Sequence, residues 1–254
     1  VSDRIERFRT ALTGAACDAY VSFSMPTNEY LSGFRGSSSA LVVTQQEAIL
    51  LVDFRYTEQA NAQAIGVEVR EVSGTVEIRA GELLQQLGAK KPGFDPAVVT
   101  VWQFDTLKQA YGGTLSAQPG LISRLRVVKS ADEIAKLRAA SSLAEGVLLK
   151  LVPGLREGTT ELELAARFEY EFRAAGASGS SFSPIVLFGS RSSLPHGVPG
   201  ERALQRGDIV LLDFGCVRQS YCSDLTRTYV YGTIPGAWFE EIYAVTLEAQ
   251  LAGL

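Results

Sequence analysis

Two aspartates late in the chain, Asp213 and Asp224, lie in surroundings that suit strands better than surface turns. The first ends the apolar run Ile209-Val210-Leu211-Leu212, which reads as a fully buried strand leading into Asp213-Phe214-Gly215. The second lies in Tyr221-Cys222-Ser223-Asp224-Leu225-Thr226-Arg227-Thr228-Tyr229-Val230, rich in Thr, Tyr and Val and so a second strand. A hairpin turning at Arg218-Gln219 sets Asp213 directly opposite Asp224, with Cβ atoms roughly 5 Å apart. Bare carboxylates at that separation repel, and one of them is pushed toward its protonated form. A shared cation removes the conflict, because converging oxygen donors suit hard or borderline divalent ions. Two ions close together can polarise a carbonyl and acidify a water. The alternative is that Asp213 merely closes a strand while Asp224 bonds to nearby backbone or to Arg227, the fate of most aspartates in turns. The loop lacks the Asn-Gly or Asp-Gly pair of a tight hairpin, so the register rests on symmetry alone.

The elements that must position these residues follow from periodicity. Ile5, Phe8, Leu12 and Ala15 recur at helical spacing, and Ala19 to Phe23 reads as a short strand. Two apolar runs, Ala40 to Val43 and Ala48 to Val52, read as paired strands. Thr57 to Ala64 suits a helix, Val67 to Val72 a strand, and Val76 to Leu87 a helix capped by Gly88. A further strand is expected near Val98 to Trp102, before the Gly-rich Tyr111-Gly112-Gly113. Alternating helix and strand predict an α/β domain over residues 1–125. A second domain is expected over 126–254. There Ser130-Ala131-Asp132-Glu133 has the form of a capping box and opens a long amphipathic helix that ends at Val152-Pro153-Gly154. Another helix starts near Thr160, with Leu162, Ala165, Ala166, Phe168 and Phe172 on its apolar side and Gly176 as its stop. Short strands and turns fill 176–231, and Trp238 to Leu254 is helical to the last residue, which we take as the mark of a truncated chain.

Composition narrows the function classes. The 254 residues are 46% hydrophobic and 20% charged, with no apolar stretch of membrane-span length, so a membrane role is not expected. A formal charge of −4 lacks the basic excess that holds a phosphate backbone, and nucleic acid is not an expected partner. Three cysteines without a CxxC pair fit neither a disulfide framework nor a zinc finger. The charged start, Val1 to Phe8, is unlike a secretory signal, so a cytoplasmic location is expected. Cys216 and Cys222 read as small apolar filler rather than thiolate ligands. His196, the single histidine, lies between prolines in a loop, where most histidines are simply solvated.

Three segments together resemble the pita-bread metallopeptidases of the Xaa-Pro aminopeptidase and prolidase type. They are Ser192-Ser193-Leu194-Pro195-His196-Gly197-Val198-Pro199, Arg206-Gly207-Asp208-Ile209-Val210-Leu211-Leu212-Asp213-Phe214-Gly215, and Tyr221-Cys222-Ser223-Asp224-Leu225-Thr226-Arg227-Thr228. Pro195-His196-Gly197 and Ser223-Asp224-Leu225-Thr226-Arg227-Thr228 are more similar to the proline-directed members than to methionine aminopeptidases. Upstream, Asn28-Glu29-Tyr30-Leu31-Ser32-Gly33-Phe34 and Leu50-Leu51-Val52-Asp53-Phe54-Arg55-Tyr56 resemble the creatinase-like N-terminal domain of such enzymes. The resemblance implies an α/β creatinase-like domain followed by a truncated α+β pita-bread domain. It implies two divalent metals, manganese first, with cobalt or zinc compatible. It implies that Asp213 binds or bridges metal, that Asp224 bridges both metals, and that His196 hydrogen-bonds the substrate. The substrates are peptides with proline in the second position, cleaved before that proline, and the assembly is a homodimer.

The family completes its dimetal centre with a histidine and two glutamates from later strands, and no histidine follows His196. Glu240, Glu241 and Glu248 fall on the terminal helix and read as surface charges. The chain by itself is therefore expected to be inactive, with activity belonging to the complete protein. Two other readings stay open: a metal-independent, creatinase-like hydrolase, which retention of both aspartates disfavours, and an inactive pita-bread binding protein.

Overall fold

The computed structural model describes residues 2–254, which divide into two compact units, one ending at Val128 and one spanning Lys129–Leu254. The first unit runs α1 (Ser2–Gly14), β1 (Ala19–Ser22), α2 (Met25–Ser32), β2 (Ser39–Thr44), β3 (Ala48–Val52), α3 (Thr57–Gln63), β4 (Glu68–Glu71), α4 (Val76–Gln86), β5 (Pro92–Phe94), α5 (Val101–Tyr111), β6 (Ser116–Ala117) and α6 (Leu121–Val127). Its strands form one sheet in the order β4-β3-β2-β1-β5-β6, antiparallel at β1–β2 and β2–β3 and parallel elsewhere.

The paired apolar runs are buried on both faces of this sheet. Leu41, Val43, Leu50 and Val52 pack with Phe8, Leu12 and Leu31, whereas Val42, Ile49 and Leu51 pack with Ala80, Leu84 and Leu107. Such two-sided burial explains why these strands read as continuous apolar runs rather than alternating ones. Each large side chain so buried stabilises the unit by about 1.5–3 kcal/mol.

The strand expected near Val98 to Trp102 is instead the entry to α5. Thr100 Oγ1 accepts from the Gln103 N–H at 3.2 Å, and the Gln103 side chain accepts from the Thr100 N–H at 3.1 Å. That reciprocal cap outweighs the strand propensity of Val98, Val99 and Val101.

The second unit comprises α7 (Ala131–Leu151), α8 (Glu161–Ala174), β7 (Gly179–Ser180), β8 (Ile185–Phe188), β9 (Ile209–Phe214), β10 (Cys216–Arg218), β11 (Tyr221–Cys222), β12 (Leu225–Val230) and α9 (Ala237–Ala252). The capping box of α7 forms as its sequence dictates: Ser130 Oγ accepts from the Glu133 N–H, and Glu133 Oε2 from the Ser130 N–H at 2.8 Å. Thr160 caps α8, accepting from the Glu163 N–H at 3.1 Å. The buried stripe of α8 is Glu161, Leu164, Phe168 and Phe172, and Leu162, expected on the apolar side, is 45% exposed. Its phase is two residues from Leu164, so it points away from the stripe that repeats every four.

Two three-stranded sheets, β11-β10-β7 and β12-β9-β8, carry the remaining strands. Helices α7 and α8 cover one face of the latter, where Phe168, Phe172, Phe188 and Phe214 form the core and the Phe168 and Phe214 rings stack at 4.9 Å. The opposite face is only partly covered. Val210, Leu212 and Phe214 of β9 are buried, while Ile209, Leu211 and Asp213 remain partly exposed, so this strand is not buried on both sides as its apolar run predicts. No residue of α9 is buried, and Trp238, Ile242, Val245 and Leu251 are each at least half exposed. Glu240, Glu241 and Glu248 lie on this exposed helix. Among the described residues no helix is long and apolar enough to cross a membrane.

Candidate metal centre

The aspartates owe their placement to one antiparallel hairpin built of two ladders in a common register. Its turn is Gln219-Ser220, both with positive φ (50° and 67°), the backbone of a two-residue turn whose twist matches that of its strands. Pairing runs from Arg218↔Tyr221 and Val217↔Cys222 to Phe214↔Leu225 and Asp213↔Thr226 in one register. The register expected from symmetry about Arg218-Gln219 is thus displaced by two residues, and Thr226, not Asp224, stands opposite Asp213. Because the displacement is even, the two aspartates stay on one face as diagonal neighbours.

Between the two ladders, Gly215 and Ser223-Asp224 interrupt the pairing. A Cβ on Gly215 would lie 2.0 Å from the Ser223 carbonyl oxygen and 2.3 Å from Ser181 Oγ, so only glycine permits the approach. Ser223 is buried and ties the crossing together: its hydroxyl accepts from the Cys216 N–H at 3.0 Å, and its carbonyl accepts from Ser181 Oγ at 2.7 Å. Asp224 follows directly and is exposed.

Burial pushes the Asp213 carboxyl above the ordinary range, a hydrogen bond from Thr226 opposes the shift, and the charge of Asp224 adds to it. Asp213 Oδ1 is buried without a hydrogen-bond partner. Asp224 accepts no hydrogen bond or ion pair among the described residues, and the ion-pair partner of Arg227 is Glu145, at 3.9 Å. The alternative in which Arg227 engages Asp224 is therefore not the arrangement found. An orphaned carboxylate oxygen beside a second carboxylate fits a divalent cation, whose charge would satisfy both. Among the described residues no group of three His, Cys, Asp or Glu side chains that could hold a metal ion is found.

His196 reaches the same sheet face by a separate route. The Gly197 N–H donates to the Leu194 carbonyl at 3.3 Å, which closes a turn with Pro195 and the exposed His196 at its centre. Gly197 is buried on Leu187, where a Cβ would meet the Leu187 side chain at 2.6 Å. Leu187 pairs with Leu211 and lies two residues from Ile185, the β8 partner of Asp213, so the turn rests on the face from which Asp213 emerges. A cavity of about 770 Å³, lined by Leu211, Thr226, Thr228, Trp238 and Ile242 among others, adjoins that face.

The cysteines divide. Cys216 is buried, which pushes its thiol up and suits filler, whereas Cys222 is exposed and is not core filler as expected. Cys222 pairs with Val217 on the strand next to the turn, where its side chain faces solvent. Sequence reasoning missed Thr226 as the cross-strand partner of Asp213, since Thr in a strand is unremarkable until register is known. It missed Glu161 too, whose only signal is a charge on the buried side of a helix.

Residues 135–254 match the model of Metallopeptidase family M24, and residues 4–128 match the Creatinase/Prolidase N-terminal domain. The uncharacterized peptidase YqhT of Bacillus subtilis is 33% identical over 252 residues, covering 99% of this chain and 71% of that protein. Among solved structures, the Xaa-Pro dipeptidase from Bacillus anthracis aligns with a TM-score of 0.94 at 35% identity, over 98% of this chain and 70% of its own. The X-Pro aminopeptidase from Thermotoga maritima aligns with a TM-score of 0.89 at 32% identity, over 98% and 70%. The chain spans about 70% of the length of these relatives. With a creatinase-like first domain and a pita-bread second domain, the chain belongs to metallopeptidase family M24.

Proposed function

We propose that the complete protein hydrolyses the peptide bond between an N-terminal residue and proline, with Asp213 and Asp224 as metal ligands and His196 as a substrate-orienting group. The observation that carries this reading is the buried, partnerless Oδ1 of Asp213 on the same face as Asp224. Similarity to an Xaa-Pro dipeptidase and an X-Pro aminopeptidase supports the substrate class. Divalent ions held by such a site supply Lewis-acid polarisation of a carbonyl and an acidified water. Asp213 and Asp224 contribute oxygen donors, which suit manganese, and Thr226 stands opposite Asp213 across the ladder. His196 stands exposed at the tip of its turn, free to hydrogen-bond a peptide lying over the sheet face.

Hydrolysis of an Xaa-Pro dipeptide and an Xaa-Pro tripeptide by the full-length protein, with and without manganese, tests the proposal. Metal-dependent release of the N-terminal residue is expected, and Asp213→Asn with Asp224→Asn should lower kcat/KM by about 10³-fold or more, the scale on which one preorganised charge-stabilising group acts. Preferred length separates a dipeptidase from an aminopeptidase. Folded protein that turns over neither substrate with any divalent metal would be read as the binding protein instead.

A further inference from the structure

The loop that carries His196 is closed at its neck by one buried carboxylate. Glu161, at the start of α8, is 0% exposed, and its two oxygens take the two ends of the segment 188–200 separately. Oε1 accepts from the Phe188 N–H at 2.9 Å, and Oε2 accepts from the Gly200 N–H at 2.9 Å. Arg191 Nε donates to both oxygens, at 3.1 and 3.0 Å, and Arg191 Nη2 reaches across the loop to the Val198 carbonyl at 2.7 Å. The Leu162 N–H adds a bond to the Gly200 carbonyl at 3.1 Å. The thirteen residues from Phe188 to Gly200 are thus gathered on a single side chain.

A carboxylate fully removed from water is retained only where charge-assisted bonds replace its hydration, and Glu161 has them from a guanidinium and two amides. The same bonds fix the loop. Its neck is held by Glu161, its span by the Arg191–Val198 bond, and its floor by Gly197 against Leu187, leaving His196 exposed at the tip. A loop joined by backbone alone would sample many conformers, and ordering it on substrate binding would weaken that binding.

We propose that Glu161 and Arg191 are positioning residues that act through His196, holding its turn over the aspartate face so that a peptide meets a preformed hydrogen-bonding group. This rests on the peptidase reading above. Neither residue touches the aspartates among the described contacts, so the proposal separates substrate orientation from metal binding.

The test uses the full-length, metal-loaded protein carrying Arg191→Ala, Arg191→Lys, Glu161→Gln or His196→Ala, and Arg191→Ala combined with His196→Ala. Arg191→Ala should lower kcat/KM for an Xaa-Pro peptide about tenfold to a hundredfold, the loss that misplacement by about 1 Å produces. Arg191→Lys should recover part of it, because one ammonium can hold Glu161 or Val198 but not both. The combined variant should be no slower than His196→Ala alone, and manganese affinity by titration calorimetry should stay within about twofold of wild type. Amide exchange over residues 190–199 should quicken in Arg191→Ala while that of β9 and β12 is unchanged. Multiplicative losses in the combined variant, or metal affinity that falls in step with activity, would overturn the proposal. Should Glu161→Gln fail to fold, the arginine variants decide alone. If wild type cleaves no Xaa-Pro peptide, the peptidase reading fails and the substrate-orienting role fails with it. Exchange then still decides whether the clamp orders the loop, and unchanged exchange over 190–199 in Arg191→Ala would refute that too.

Discussion

Asp213 on β9 stands directly opposite Thr226 on β12 and diagonal to Asp224, and its Oδ1 is buried without a hydrogen-bond partner. A buried acceptor left unpaired costs about 1–3 kcal/mol, more where it is charged. The fold tolerates at this position a group that destabilises it.

That relationship fixes the sign of a pH effect. With burial first, and the Asp224 charge adding to it, the folded-state pKa of Asp213 is raised, so the stability linked to its protonated form is present at acid pH and lost as pH rises through that pKa. In metal-free protein, Asp213→Asn is therefore expected to melt above wild type at pH 7. The gap should close toward pH 4, where the wild-type carboxyl also becomes neutral. Thermal melts across pH 4–8 in chelator check this, and a variant that melts below wild type at pH 7 contradicts it.

Gly215 is the point at which the hairpin strands come too close for any side chain. Gly215→Ala places a methyl against the Ser223 carbonyl, which backbone movement alone can relieve, and should destabilise by about 3 kcal/mol. Movement there displaces Asp224, so metal affinity in the complete protein should fall together with stability. Denaturant unfolding and metal titration of the same variant measure both, and a loss of stability with unchanged affinity would detach Asp224 from the metal.

The turn offers a gain. Gln219 and Ser220 both occupy the left-handed region, which costs ordinary L-residues roughly 1–2 kcal/mol each. Replacing the pair by Gln219→Asn with Ser220→Gly should stabilise the protein by about 1 kcal/mol without shifting the register. An unchanged or lowered denaturation midpoint would show that the turn conformation differs from the one described.

Helix α9 presents Trp238, Ile242 and Leu251 at 50%, 59% and 62% exposure. Substituting Ile242→Ser or Leu251→Ser in the 254-residue chain removes little buried surface, so its stability should change by no more than about 1 kcal/mol. Binding of a hydrophobic dye should drop in both variants. A loss of several kcal/mol would place these side chains in a packed interior.

Much of the fold is legible from local rules. The cap at Ser130 and Glu133, the helix start at Thr160 and the pairing of Ala40–Val43 with Ala48–Val52 each depend on residues a few positions apart, and each forms as written. Local rules fail where two of them compete. Around Val98 to Trp102 branched residues argue for a strand, but the Thr100–Gln103 cap makes a helix start. Periodicity also does not mark α2, whose Thr27, Asn28 and Ser32 are buried polar groups that no apolar stripe announces.

By itself the sequence determined that the two aspartates are 11 positions apart across a hairpin, a separation that keeps them on one face under any register shifted from the symmetric one by an even number. The same rule, that side chains alternate along a strand, let the site survive a register misplaced by two residues. Only the tertiary structure decided which residue faces Asp213, because the Gln219-Ser220 turn adopts positive φ without the glycine or asparagine that advertises it. Only the tertiary structure could bring Glu161 to Phe188, Arg191 and Gly200, partners 27, 30 and 39 residues away. A buried charge is held by whatever donors the fold delivers to it, and their distance along the chain leaves no periodic trace.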